Sequence, residues 1–125
     1  ICCPATKETE NLINKETLEY FPTGAVLTNV ARGDIVDDEA LIDALNRRKI
    51  YAVGLDVYKG EPNLNPGYLK IKSAFILPHL GSATKHTRIA MANLAIDNID
   101  EFFKTGNCKN KVNWFRLKRS THSCK

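Results

Sequence analysis

Three side chains of this sequence could together bind an anion and move a proton. Arg32, Glu61 and His79 each follow an apolar run, in the blocks Asn29-Val30-Ala31-Arg32-Gly33, Gly60-Glu61-Pro62 and Leu77-Pro78-His79-Leu80-Gly81-Ser82-Ala83-Thr84. A guanidinium group matches a carboxylate at two points, and an imidazole exchanges protons near neutral pH. A cation, a carboxylate and an imidazole are therefore the set needed to bind an anionic carbonyl compound and to protonate its oxygen.

Each of the three residues also has a purely structural alternative. Arg32 could form a salt bridge with Asp34 or Asp37 in a solvated loop, and Glu61 could be an ordinary turn carboxylate. His79 could be a histidine that is hydrogen-bonded at the end of a strand. The chemical interpretation is favoured because all three blocks occur in this order on one chain.

The elements that must position these side chains follow from the hydrophobic pattern. Apolar runs alternate with amphipathic stretches, which is typical of an α/β domain with a parallel sheet. We expect four strands at Ile1–Cys3, Ala25–Val30, Ala52–Val57 and Ala74–Leu77, and helices that begin after Asn14, Asp37 and either Ser82 or Thr84. The last helix is long, runs to about Lys104 and ends at Gly106. Because ligands of open α/β sheets bind at the carboxyl ends of the strands, we expect the three side chains to meet there.

The same blocks carry a resemblance to a known family. From Cys3-Pro4-Ala5-Thr6 to about Phe103 the chain resembles the second half of the nucleotide-binding domain of the D-isomer-specific 2-hydroxyacid dehydrogenases. The block at 77–84 with Thr87-Arg88, and Gly60-Glu61-Pro62 with Asn65-Pro66, are most similar to the glyoxylate/hydroxypyruvate reductase branch. The resemblance implies a partial Rossmann-like, doubly wound parallel sheet with a long C-terminal helix. It divides the chain into half of a dinucleotide-binding domain at residues 1–104 and a basic tail at 105–125, which is either disordered or aberrant.

The resemblance also implies a role for each site residue. Arg32 would bind the substrate carboxylate, and Glu61 would pair with His79, which would act as the acid. Asp56 would lie at the nicotinamide end of the cofactor, although it could instead cap the next loop along the chain. The residues implied in binding NAD or NADP are Cys3, Pro4, Thr9, Val30, Ala31, Arg32, Asp56, His79, Gly81 and Ser82.

One expected motif does not occur in this sequence. The seven glycines, at 24, 33, 54, 60, 67, 81 and 106, never take the Gly-x-Gly-x-x-Gly spacing that holds a pyrophosphate. The choice between NAD and NADP is therefore open. Because the chain begins inside an apolar run and has Met91 as its one methionine, we interpret it as a fragment. We expect it to be inactive by itself.

Two functions from different classes agree with these residues. The leading hypothesis is an oxidoreductase that transfers a hydride between a nicotinamide cofactor and a small 2-keto or 2-hydroxy acid, with the parent enzyme a homodimer. The alternative is a dinucleotide-binding regulator of the same fold, similar to the corepressors of this family. Turnover by the full-length protein would distinguish them.

Composition and charge argue against other classes. The net charge of +4 belongs to the tail, since residues 1–103 carry 11 Lys or Arg against 14 Asp or Glu. Nucleic-acid binding by the tail, through Trp114 and Phe115, is supported by few residues and is not favoured. The four cysteines, at 2, 3, 108 and 124, have no metal-ligand spacing, so we expect no metal. The sequence has no apolar run of about 18 residues, so we expect no membrane span. It has no charged-then-apolar leader, and its cysteines are best interpreted as buried reduced thiols, so we expect a cytoplasmic protein.

Overall fold

The structure, a computed structural model, describes residues 1–112. They belong to two units, Ile1–Ala83 and the chain from Thr84 onward. The first unit contains α1 (Lys15–Tyr20), β1 (Ala25–Asn29), α2 (Asp38–Asn46), β2 (Ile50–Leu55) and β3 (Ala74–Ile76), with short 3-10 helices at Gly33–Ile35 and Pro66–Lys70. The second unit contains α3 (Lys85–Thr105). The predicted α/β class is confirmed.

The three strands form one parallel sheet in the order β1-β2-β3. In register, Asn29 of β1 lies beside Leu55 of β2, which lies beside Ile76 of β3. The strands therefore end together, and the loops that follow them leave from a single edge of the sheet. Arg32, Glu61 and His79 all lie on those loops.

The prediction of a strand at Ile1–Cys3 is wrong, because none of the strands within residues 1–112 includes these residues. Ile1 does lie beside β1, where its amino group donates to the Thr28 carbonyl at 2.5 Å and its own carbonyl accepts from the Val30 N–H at 3.3 Å. Pro4 has no N–H with which to continue such a ladder. A single residue with strand-like bonds does not make a strand, so the described sheet has three strands rather than four.

The core of the first unit lies between the sheet and its two helices. Leu18 of α1, Leu41 of α2, and Leu27 and Val53 of the sheet are all nearly inaccessible to solvent. The capping residues predicted from sequence begin both helices: the Asn14 side chain accepts from two backbone N–H groups of α1, and the side chain of Asp37 accepts from one of α2. The buried core packs β1 and β2 against the two helices, and the caps fix where those helices begin.

The second unit contains the predicted long helix. Thr84 caps α3 by accepting from the Thr87 N–H, and Gly106 ends it with a φ of 75°, in the left-handed region that favours glycine. No residue of α3 is buried. None of the helices within residues 1–112 is both long and apolar enough to cross a membrane. The predictions for Trp114, Phe115 and Cys124 lie outside the described residues.

Candidate active site

A buried asparagine shapes the turn that carries Arg32. Asn29 ends β1 and its side chain is inaccessible to solvent. Its Oδ1 accepts from the Ala31 N–H at 3.0 Å, and its Nδ2 donates to the Arg32 carbonyl at 2.8 Å. Both ends of the amide thus fix the backbone on either side of Arg32. Sequence reasoning assigned no role to Asn29, although an amide at the end of a buried strand, three residues before an arginine, was a usable signal.

The Arg32 side chain lies exposed at the carboxyl edge of the sheet. Its Nη1 donates to the Ala31 carbonyl at 2.7 Å, and this hydrogen bond holds the guanidinium close to the backbone of the turn. Within residues 1–112, Arg32 forms no ion pair with Asp34 or Asp37, the partners of the structural alternative. The guanidinium is therefore available to an anion from solution.

The side chains of Glu61 and His79 are joined by a hydrogen bond. The Nδ1 atom of His79 lies 2.8 Å from Oε2 of Glu61, while Oε1 of Glu61 accepts from the Tyr58 N–H at 3.0 Å. The hydrogen bond from His79 lowers the pKa of the Glu61 carboxyl below its ordinary value, so the carboxylate form is favoured. Both side chains remain partly exposed, at 46% for His79 and 30% for Glu61. The structure thus brings together the two residues that the family resemblance paired.

Asp56 contacts the loop that carries His79. It lies directly after β2, is 8% exposed, and accepts from the Leu80 N–H at 2.6 Å and from the Gly81 N–H at 2.8 Å. This contact corresponds to the capping alternative for Asp56, although the loop follows β3 rather than β2. The expected contact of Asp56 with the nicotinamide stays a prediction.

A close backbone approach joins the loop after β1 to the loop after β2. A Cβ atom added at Gly33 would lie 2.1 Å from the carbonyl carbon of Tyr58 and 2.4 Å from the nitrogen of Lys59. Only glycine permits such an approach. The turn that carries Arg32 therefore rests directly on the segment that leads to Glu61.

Several of the predicted cofactor-binding residues line a single open cavity. Its volume is about 510 Å³, and it is lined by Cys2, Cys3, Pro4, Ala5, Val30, Ala31 and Arg32. Thr9 lies behind this wall, where its hydroxyl donates to the Pro4 carbonyl at 2.9 Å. Gly81 and Ser82 follow His79 in the loop after β3. The contacts of these residues with a cofactor stay predictions.

The chemistry of this lining fits one end of a dinucleotide. An open wall of mixed polar and apolar surface at the carboxyl ends of parallel strands, with a guanidinium at its rim, is the place where nucleotides bind open α/β sheets. The residues expected to hold NAD or NADP here are Cys3, Pro4, Val30 and Ala31. Among residues 1–112 no group of three or more His, Cys, Asp or Glu side chains is arranged to hold a metal ion.

Comparison with known proteins agrees with this geometry. Residues 1–81 match the family described as D-isomer specific 2-hydroxyacid dehydrogenase, NAD binding domain. A glycerate dehydrogenase of Hyphomicrobium methylovorum is 44% identical over 100 residues, which are 80% of this chain and 31% of that protein. A glyoxylate/hydroxypyruvate reductase B of an Enterobacter species is 41% identical over 111 residues, which are 88% of this chain and 34% of that protein.

A solved structure shows the same fold. The NADPH-dependent glyoxylate/hydroxypyruvate reductase of Sinorhizobium meliloti, in complex with NADP and malonate, superposes with a TM-score of 0.84 at 38% identity, covering 89% of this chain and 35% of that one. The chain spans about a third of the length of the relatives it matches. With the family match, the relatives and the fold in agreement, this chain belongs to the NAD-binding domain family of the D-isomer-specific 2-hydroxyacid dehydrogenases.

Proposed function

We propose that the protein containing this chain is an NAD(P)-dependent oxidoreductase. It transfers a hydride between a nicotinamide cofactor and a small 2-keto or 2-hydroxy acid, of the glyoxylate and hydroxypyruvate class. The observation that carries the proposal is the Glu61–His79 pair, 2.8 Å between Oε2 and Nδ1, at the sheet edge where the Arg32 side chain is also exposed. The names of the relatives support the substrate class.

The mechanism follows from the chemistry of the three side chains. Arg32 binds the carboxylate of the keto acid through two parallel N–H donors, which fixes the carbonyl relative to the protein. Glu61 binds Nδ1 of His79 and so directs Nε2 toward the substrate. In reduction His79 donates the Nε2 proton to the carbonyl oxygen, and in oxidation it removes the hydroxyl proton. When bound, the nicotinamide supplies or accepts the hydride.

The regulatory alternative is not favoured. The relatives reported above are named as dehydrogenases and reductases, and one of them was crystallised with NADP. The cofactor is NAD or NADP. The choice between them is open, because the residues that distinguish them belong to the Gly-rich unit that this sequence does not contain.

The test uses the full-length protein with glyoxylate and with hydroxypyruvate, each assayed with NADH and with NADPH. We expect saturable turnover with at least one pair, and a fall in kcat of roughly 10²- to 10⁴-fold in His79→Gln, the usual contribution of a general acid. His86→Gln is the matched control, because His86 is exposed on α3 and forms no ion pair within residues 1–112; its kcat should equal that of the wild type. Cofactor binding without turnover would favour the regulator, and full activity in His79→Gln would contradict the assigned acid.

We extend the proposal to the setting of the protein. It acts as a cytoplasmic homodimer whose partners are the cofactor and the small acid rather than nucleic acid, and residues 1–104 form half of its dinucleotide-binding domain, followed by a basic tail at 105–125. The mildly acidic balance of residues 1–103 supports the exclusion of nucleic acid. Sedimentation of the full-length protein, with and without added DNA, checks the dimer and the exclusion.

A further inference from the structure

We propose that Asp56 is a positioning residue, whose carboxylate holds the loop after β3 so that His79 meets Glu61. The proposal rests on the proposed function, since it concerns how the acid of that reaction is oriented. It differs from the cofactor contact that the resemblance implies for Asp56. It assigns the effect of this carboxylate to the proton-transfer step rather than to cofactor binding.

The first observation is where the Asp56 carboxylate is directed. Asn29 and Asp56 are the two buried polar or charged residues of the described chain, and Asp56 is 8% exposed. Each of its two oxygens accepts one N–H, from Leu80 at 2.6 Å and from Gly81 at 2.8 Å. Hydrogen bonds to a charged acceptor are stronger than neutral ones, and more so when they are shielded from water. The two residues immediately after His79 are therefore fixed to the end of β2.

The second observation is the backbone of His79 itself. His79 has a φ of 55°, in the left-handed region that a residue with a Cβ rarely adopts. Such a conformation persists only where surrounding contacts impose it. In this conformation the chain turns so that the next two N–H groups face one carboxylate. The Asp56 contact is thus one of the interactions that hold His79 in this conformation.

The third observation is that Asp56 is itself held in place. Its backbone N–H donates to the Asn29 carbonyl at 3.0 Å, and the preceding carbonyl, that of Leu55, accepts from the Leu77 N–H at 2.8 Å. A Cβ atom added at Gly81 would lie 2.9 Å from Oδ2 of Asp56, so glycine is what lets the loop approach the carboxylate. The carboxylate therefore connects the ends of all three strands to the loop that carries the imidazole.

The substitution that tests this role is Asp56→Asn in the full-length protein. The amide can accept one of the two N–H groups, but its NH₂ would face the other. We expect kcat to fall by roughly 10- to 100-fold, the effect of an ångström-scale misplacement of a reacting group, while KM for the nicotinamide cofactor stays within about threefold. Asp43→Asn is the matched control, because the exposed side chain of Asp43, on α2, pairs with Arg47, the residue that follows this helix. It should leave both constants unchanged.

A double-mutant cycle with Glu61→Gln gives a readout that a merely structural role would not move. If Asp56 acts through the Glu61–His79 contact, Asp56→Asn should cost far less in the Glu61→Gln background than alone. A raised cofactor KM with kcat preserved, or full additivity in the cycle, would overturn the proposal in favour of a direct cofactor contact. Should Asp56→Asn fail to fold, Gly81→Ala decides the matter, because it keeps the carboxylate and crowds the loop. It should reproduce the loss in kcat, and a wild-type kcat would contradict the proposal.

An activity-independent measurement separates this proposal from the proposed function. We expect the amide hydrogens of Leu80 and Gly81 to exchange faster in Asp56→Asn than in the wild type. The ¹⁵N resonance of His79 Nδ1 should lose the shift that its hydrogen bond to Glu61 produces. If the wild-type protein showed no turnover, the proposed function alone would be contradicted. If the amide exchange rates and the ¹⁵N resonance of His79 were the same in Asp56→Asn as in the wild type, the positioning role would be contradicted.

Discussion

Gly33→Ala should disrupt the active site without touching any side chain that does chemistry. Gly33 is buried, and an added Cβ would lie 2.1 Å and 2.3 Å from the carbonyl carbon and oxygen of Tyr58. These atoms belong to the backbone, so no side-chain rotation can relieve the contact. The two loops must separate instead. Because the Tyr58 N–H binds Glu61 at 3.0 Å, the movement is transmitted to the carboxylate that holds His79.

The size of the effect follows from these distances. The added Cβ atom would lie 2.1 Å from the carbonyl carbon of Tyr58, and an ordinary contact begins near 3.4 Å. The two loops must therefore separate by about 1.3 Å. Overpacking of this kind costs about 1–3 kcal/mol of stability. A misplacement of about 1 Å at a reacting group can cost on the order of 10²-fold in rate. We therefore expect a moderate loss of stability together with a much larger loss of kcat.

The assay compares kcat for glyoxylate and the free energy of unfolding in denaturant, both in the full-length protein. Gly54→Ala is the matched control, because a Cβ atom there would lie at an ordinary 3.4 Å from Thr28 Cγ2. That variant should keep the kcat and the stability of the wild type within about 1 kcal/mol. If Gly33→Ala behaved like Gly54→Ala, the close approach would not constrain the site and the reasoning would be refuted.

Three further substitutions test other parts of the site and fold. Arg32→Lys should raise KM for the keto acid by roughly 10- to 100-fold, because loss of two-point binding to a carboxylate costs about 1.5–3 kcal/mol, and an unchanged KM in steady-state kinetics would make Arg32 structural. The His79 hydrogen bond lowers the pKa of Glu61, so the pair should stabilise the fold fully above the ordinary glutamate pKa of about 4.3 and less as pH falls through the lower folded pKa. Glu61→Gln should remove this dependence, which amounts to less than about 1 kcal/mol at these partly exposed side chains, and a denaturation series from pH 7 to pH 3 checks it. Tyr68→Phe should lower the free energy of unfolding by about 1 kcal/mol, because the buried phenol donates to Asp38 at 2.8 Å, and an unchanged denaturation midpoint would contradict this.

Much of the candidate site was predictable because short sequence patterns at the strand ends determine where its side chains lie. A charged residue after an apolar run, repeated on parallel strands, must leave the sheet at the carboxyl edge, and this placed Arg32 and His79 correctly. The pairing of Glu61 with His79 came from the family resemblance, and the structure brings the two side chains to 2.8 Å. The error at Ile1–Cys3 has a local cause too, since three apolar residues before a proline are too few to distinguish a strand from a segment that merely touches one.

The sequence by itself determined the α/β class, the helix caps at Asn14 and Asp37, and the helix end at Gly106, and it left Ser82 or Thr84 as the third cap, which the structure places at Thr84. Each of these depends on interactions within about one turn of the chain, where residue type decides the outcome. Only the tertiary structure decided that Asp56 binds N–H groups 24 and 25 residues away, and that Gly33 rests on the backbone of Tyr58. Backbone N–H and C=O groups are the same in every residue type apart from proline, so no pattern of side chains marks which distant peptide a carboxylate or a glycine will meet.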